Sequence, residues 1–166
     1  LKLGCKRIHF VARPLSAPTV DGRIAGVREA LSRWNIPVDP GWVHIGDPED
    51  KNFIRRMIFP SPPDAVVCAN DHTAALLLSA LRKNKVRVPE DIRVVGFDDV
   101  KFATLVSPAL TTIQQPCREI SITAFGAMMD RQQDATIPAR HISLSPRLII
   151  RDSCGAYQVS RSAKAT

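Results

Sequence analysis

Apolar and polar positions follow two alternating patterns along the chain. Short apolar runs at 7–12, 42–45, 65–69, 92–97 and 111–114 are typical of strands. The run at 65–69 is continuously apolar, as expected for a strand buried on both faces. Residues 23–34, 49–59, 73–83 and 118–130 repeat apolar positions at helical spacing. This alternation predicts an α/β fold, with a largely parallel sheet and flanking helices.

Several boundaries can also be predicted. Asp21 and Asp71 stand at the start of two helical patterns, where a carboxylate can accept from the first free amides, so each is expected to cap its helix. Residues 141–144 and 147–150 are short strand patterns. The polar, small residues 155–166 predict a disordered tail.

Polar side chains follow the predicted strands where each one ends. Asn70 follows strand 65–69, Asp98 follows strand 92–97, and Arg23 opens the helix after the first strand. Ligands of open α/β sheets bind beyond the carboxyl ends of the strands, so these three side chains are expected to converge on one rim. An amide, a carboxylate and a guanidinium suit a polyhydroxylated ligand. The apolar face of a sugar would also need an aromatic platform, for which the candidates are Phe97, Phe102, Phe53 and Trp42.

Spacing alone leaves a structural role open for each of the polar residues. Asn70 and Asp98 could satisfy the backbone of their turns equally well. Arg23 could be an ordinary surface residue of its helix. Asp98 and Asp99 are sequence neighbours whose side chains are expected to diverge, which is unsuited to acid–base catalysis. Neither a nucleophile elbow nor a glycine-rich phosphate loop is present, so neither an enzyme nor a cofactor is predicted.

Charge and cysteine content indicate which classes of protein the sequence does not favour. The net charge is +7, but the basic residues are scattered, which favours a solvated surface over a DNA-binding face. The four cysteines lack metal-ligand spacing, so no metal site is predicted. Reduced thiols are the simpler interpretation of these cysteines, and this favours a cytoplasmic location. No apolar run approaches the roughly 18 residues that a membrane span needs.

Helix 73–83 is the part of the sequence that bears on oligomeric state. Its apolar residues cover most of its circumference, which favours a second buried face against another copy of the chain. Burial of the whole helix within its own fold is the alternative.

Five segments, in order along residues 4–155, resemble motifs of one known family. They are RIAGV at 23–27, PDAVVCAND at 63–71, VPEDIRVVGFDD at 88–99, SPALTTIQQP at 107–116 and LIIRDS at 148–153. This set resembles the effector-binding domain of the lactose/galactose repressor (LacI/GalR) transcriptional regulators, whose fold is the type I periplasmic-binding-protein fold. Pro48 departs from the family, which often carries an aromatic residue just after positions 46–47.

The resemblance implies two lobes around a cleft that binds a small polar effector, a sugar or a nucleoside-like molecule. By motif position, Arg23, Asn70 and Asp98 would contact the effector. Operator DNA would be bound by a separate N-terminal helix-turn-helix head that this sequence lacks, and the regulator is expected to be a repressor. A periplasmic sugar-binding protein of a transport system shares the fold and is the alternative.

The same resemblance divides the chain between lobes. Residues 1–109 would form most of the C-terminal lobe. Residues 110–137 would be a crossover strand and helix belonging to the N-terminal lobe, and residues 138–154 would return to the C-terminal lobe. The crossover segment would then expose apolar surface in this chain.

Overall fold

One six-stranded sheet organises residues 1–157, the part of the chain that the computed structural model describes. The strand order is β2-β1-β3-β4-β5-β6; β1 to β5 are parallel, and β6 is antiparallel to β5. The predicted α/β fold with a largely parallel sheet is therefore confirmed. The strands are β1 (Ile8–Ala12), β2 (Val43–Ile45), β3 (Ala65–Cys68), β4 (Arg93–Asp98), β5 (Thr111–Gln114) and β6 (Arg147–Ile149).

The helices of the described residues are α1 (Thr19–Arg33), α2 (Lys51–Ile58), α3 (Asp71–Lys83) and α4 (Cys117–Gln133). The first three cover both faces of the β1–β4 part of the sheet. The α2 and α3 side holds the larger core, in which Ile54, Leu77 and Val94 are almost fully buried. On the opposite face, Val20 of α1 packs with Phe10 and Trp42. Burial on both faces explains the continuous apolar run of β3.

Both predicted aspartate caps are wrong. The first helix begins at Thr19, and its N-cap, Pro18, makes no side-chain cap bond, so Asp21 lies within the first turn. The third helix is capped by Asn70, whose Oδ1 accepts from the backbone N of Thr73 at 2.8 Å. Asp71 is one residue inside the helix and only 1% exposed, and its carboxylate is used elsewhere.

Most apolar residues of α3 are buried within the fold of this chain. The buried set is Ala74, Leu77, Leu78, Ala80 and Leu81. The alternative explanation of the apolar circumference, burial in the helix's own domain, therefore accounts for these five residues. Ala75 and Leu76 are half-buried and stay available to a partner.

The crossover strand stays in the sheet before the chain leaves it. Residues 111–114 form β5, which pairs in parallel with β4. The helix that follows has no buried residue, and Ile122, Phe125 and Met128 are 56%, 62% and 55% exposed. The apolar spacing of α4 predicted burial, but no surface within residues 1–157 covers these side chains. The assignment of α4 to a second lobe stays a prediction.

The end of the chain differs from its predicted pattern. Residues 141–144 form no strand, and only Arg147–Ile149 of the next segment pairs with the sheet. Within the predicted tail, Gly155 and Tyr157 are placed, and the Tyr157 hydroxyl donates to the carbonyl of Ile150 at 3.1 Å. Residues 158–166 lie outside the described residues.

Two histidines form a contact between the first two strands. The rings of His9 and His44 share a hydrogen bond of 2.9 Å between Nδ1 and Nε2, and His44 packs edge-on against Phe53. Burial lowers the pKa of both imidazoles, and for His44 the neighbouring His9 and Arg56 lower it further, to about 4. The two imidazoles of the folded protein therefore bind protons less readily than the histidines of the unfolded chain, which are protonated near pH 6.5.

This pair predicts loss of stability in mild acid. The contribution of the neutral His9–His44 pair to the free energy of unfolding is complete above about pH 6.5. It is lost as the pH falls from there toward 4, because the unfolded chain then binds more protons than the folded protein. Thermal unfolding from pH 7.5 to 4.5 should show a smaller decrease in Tm for His44→Gln than for the wild type. The control, His72→Gln, removes an exposed histidine of α3 and should keep the wild-type slope. Equal slopes in all three proteins would contradict the account.

Candidate functional site

The carboxyl ends of the parallel strands form one rim of polar groups. Asp98 ends β4 and stands opposite Gln114 of β5 in the sheet register. Asn70 follows β3, the strand on the other side of β4. The topology thus brings these residues to the same edge although they are far apart in sequence.

Arg23 reaches this rim from the second turn of α1. Its Nη1 donates to the carbonyl of Ala69, its Nη2 lies 3.8 Å from Oδ1 of Asp98, and its guanidinium carbon lies 3.8 Å from the centre of the Phe97 ring. The side chain therefore links the ends of β3 and β4. The guanidinium remains partly accessible, since the Arg23 and Asp98 side chains are 20% and 29% exposed.

Asp98 and Asp99 point toward different partners. Asp98 accepts from Nε2 of Gln115 at 2.7 Å. Asp99 accepts from Gln114 at 2.8 Å and pairs with Arg151 at 2.6 Å. Both aspartates have positive φ, 118° and 56°, a region that non-glycine residues rarely adopt. The tight turn separates the two carboxylates, as the sequence predicts.

Asn70 caps a helix with its side-chain oxygen, which leaves its side-chain NH₂ group available for other contacts. Its side-chain oxygen caps α3, which is the structural alternative that spacing left open. The capping oxygen and the NH₂ group belong to the same planar amide, so the cap also fixes the direction of the NH₂ donors. Asn70 is half-buried and lies directly after Ala69, whose carbonyl Arg23 contacts.

The aromatic candidates separate into core and rim. Trp42 and Phe53 are each 5% exposed and belong to the two cores, so they are not sugar platforms. Phe97 lies at the rim, and the Arg23 guanidinium covers one face of its ring. Phe102 is half-buried on the short 3₁₀ helix Lys101–Thr104 beyond the rim. Phe97 is therefore placed to orient Arg23 as well as to contact a ligand.

A buried carboxylate holds the turn that carries Asp98 and Asp99. Asp71 accepts from the backbone N of Val100 at 2.9 Å and from the hydroxyl of Thr112 at 2.5 Å. Burial raises the pKa of this carboxyl, although the bonds from Thr112 and Val100 oppose that shift. A Cβ on Gly96 would lie 2.2 Å from Oδ1 of Asp71, so the close approach of this carboxylate requires glycine there.

A concavity adjoins the rim where β5 passes into α4. Its volume is about 400 Å³, and it shares Gln115, the hydrogen-bond partner of Asp98, with the rim. The lining residues are Gln114, Gln115, Pro116, Cys117, Arg118, Glu119, Leu144, Ser145 and Arg147. Space for a ligand therefore lies next to the polar groups.

Three rim residues were not identified from the sequence. Gln114 ends a parallel strand and Gln115 follows it, so the rule that identified Asn70 and Asp98 would have found them as well. Arg151 gave no such signal, because its partner Asp99 is distant along the chain.

Two features of other classes of function are absent from the described residues. No group of three or more His, Cys, Asp or Glu side chains within residues 1–157 is arranged to hold a metal ion. No helix in that part of the chain combines the length and apolar character needed to cross a bilayer.

Known proteins share this fold and its motifs. Residues 1–154 match the family model described as periplasmic binding protein-like domain. An HTH-type transcriptional repressor PurR from Escherichia coli O139:H28 (strain E24377A / ETEC) is 36% identical over 157 residues, which cover 92% of this chain and 46% of that protein. The chain spans less than half the length of this relative.

Solved structures give the same result. The complex of the transcriptional regulator CelR with cellobiose superposes with a TM-score of 0.82 at 28% identity, covering 92% of this chain and 48% of that one. A LacI family regulator from Enterococcus faecium with bound ribose gives a TM-score of 0.76 at 26% identity, covering 92% and 57%. The chain belongs to the periplasmic binding protein-like domain family, and within it to the effector-binding domains of LacI/GalR regulators.

Proposed function

We propose that this chain is the larger part of a ligand-sensing domain that controls operator binding by a DNA-binding head elsewhere in the protein. The observation that carries the proposal is the convergence of Arg23 and Asp98 on one accessible rim, 3.8 Å apart and linked to Phe97. Relatives with this fold are regulators, among them complexes with cellobiose and with ribose. This favours a regulator over a transport protein and over an enzyme, and a regulator of transcription acts in the cytoplasm.

The rim chemistry suits a sugar or a nucleoside-like effector. Asp98 can accept from hydroxyl groups, and Arg23 and the Asn70 amide can donate to ring or hydroxyl oxygens. Gln115 donates to Asp98, so a bound hydroxyl must share or replace that bond. Effector binding would thereby act on the segment that leads into α4. Control of DNA binding requires the effector to bind one arrangement of the lobes more tightly than the other.

Loss of the Asp98 charge should weaken effector binding. Asp98→Asn keeps the shape but replaces a charged acceptor, and hydrogen bonds to charged groups contribute roughly 1.5–3 kcal/mol. Isothermal titration of the full-length protein against cellobiose, ribose, adenosine and guanosine should identify a ligand. Its affinity should fall at least about tenfold in the variant, which corresponds to about 1.4 kcal/mol.

A matched control is Asp21→Asn, which removes an exposed carboxylate from the first turn of α1. It should leave affinity unchanged. Binding by the wild type with equal affinity in Asp98→Asn would contradict the assignment of the site. Absence of binding by every compound would count against the proposed effector class.

We also propose a homodimer through the outer flank of α3. Ala75 and Ser79 share a concavity with Leu105, which is 74% exposed. This apolar surface is adjacent to the helix for which the sequence predicts a partner, and a second copy of the chain is the occupant that we propose. Sedimentation velocity should show a dimer that Leu105→Glu converts to monomer, whereas Leu15→Glu, a change at another exposed leucine, should not. A monomeric wild type would contradict the proposal.

A further inference from the structure

Arg13 is a rim residue that neither the sequence patterns nor the proposed site uses. It is the first residue after β1. Val11 is paired with Cys68 of β3, so continuing the parallel register by two residues sets the backbone of Arg13 beside Asn70. On the other side, Ala12 is paired with Ile45 of β2. Arg13 therefore lies at the same carboxyl edge as the candidate effector contacts.

The Arg13 side chain lacks a protein partner among residues 1–157. Its Nε is buried and has no hydrogen-bond acceptor there, and none of the ion pairs in this part of the chain includes it. A guanidinium keeps its charge at all physiological pH values. A buried donor without an acceptor is unfavourable, so such donors in native structures require an explanation, of which an interaction with a ligand is one.

Arg23 and Arg151 lie beside rim carboxylates, whereas Arg13 does not. Arg23 lies by Asp98, and Arg151 pairs with Asp99. Asp47, the carboxylate next in sequence beyond β2, is exposed and accepts from the backbone N of Glu49 at 3.0 Å. Arg13 is thus a rim cation that no ion pair within residues 1–157 includes.

We infer that Arg13 binds an anionic group of the effector, a carboxylate or a phosphate. Arginine presents parallel N–H donors that match the oxygens of either group. Asp98 would contact hydroxyls of the same molecule, so the effector would be a hydroxylated acid, either a sugar acid or a sugar phosphate. This inference rests on the proposed function, because it assumes that the rim is the effector site.

Matched neutral and anionic compounds test this inference. The full-length wild-type protein would be titrated with glucose, glucuronate, glucose 6-phosphate, ribose and ribose 5-phosphate. At least one anionic compound should bind about tenfold or more tightly than its neutral counterpart. Comparison of glucuronate with glucose 6-phosphate distinguishes a carboxylate from a phosphate ligand.

Variants of Arg13 then assign the preference to this residue. Arg13→Gln should abolish the preference while neutral affinity stays within about twofold. Arg13→Lys keeps the charge without the planar pair of donors and should retain part of the preference. Arg33→Gln is the control, because it removes an exposed arginine at the far end of α1 and should bind as the wild type does. Circular dichroism would verify that each variant is folded.

The outcomes separate the two proposals. Binding of neutral sugars without any anionic preference, or a preference that persists in Arg13→Gln, would overturn the inference and leave the proposed function in place. An equal loss for neutral and anionic compounds in Arg13→Gln would also overturn it, because Arg13 would then only shape the rim. Failure of all five compounds to bind the wild type would count against both proposals.

Discussion

The buried carboxylate of Asp71 is the contact on which the geometry of the rim depends. It joins three parts of the fold, since it belongs to α3, accepts from the backbone after β4 and accepts from Thr112 of β5. It also packs against Gly96 so closely that a side chain there would collide with it. The turn with two positive-φ aspartates follows directly, and such backbone persists only where its surroundings determine it. Asp98 is therefore directed toward Arg23 by a residue that itself makes no contact with the ligand in our account.

The turn also connects the rim to the segments that leave the sheet. Gln114 and Gln115, at the end of β5, hold Asp99 and Asp98, and Arg151, just after β6, holds Asp99 and donates to the carbonyl of Leu110. Asp98 and Asp99 are thus bonded to the segments that enter and leave the exposed α4 region. An effector that competes with Gln115 for Asp98 would act directly on that connection, which gives a physical route for coupling between ligand and lobe arrangement.

Much of the fold could be predicted from local pattern, because strand and helix periods differ and β1–β5 are parallel. The same rule for strand ends identified Arg23, Asn70 and Asp98 before any geometry was known. Some errors occurred where a residue's partner is distant in sequence. Asp71 has the position of a helix cap, and only the folded chain shows that its carboxylate faces Thr112, 41 residues away. Arg13 directly follows the predicted strand 7–12, so the rule for strand ends includes it, but only the folded chain shows that its side chain has no partner among the described residues.

Amide hydrogen exchange at Val100 in Asp71→Ala tests whether the Asp71 carboxylate holds the turn. The matched variant Asp21→Ala removes an acidic residue from the first turn of another helix, so it controls for loss of a favourable charge at a helix N-terminus. Our account predicts that exchange at Val100 and its neighbours in the turn accelerates in Asp71→Ala, with the β3 amides still protected, and stays at the wild-type rate in Asp21→Ala. Unchanged protection of Val100 in Asp71→Ala would show that the turn is held by something else.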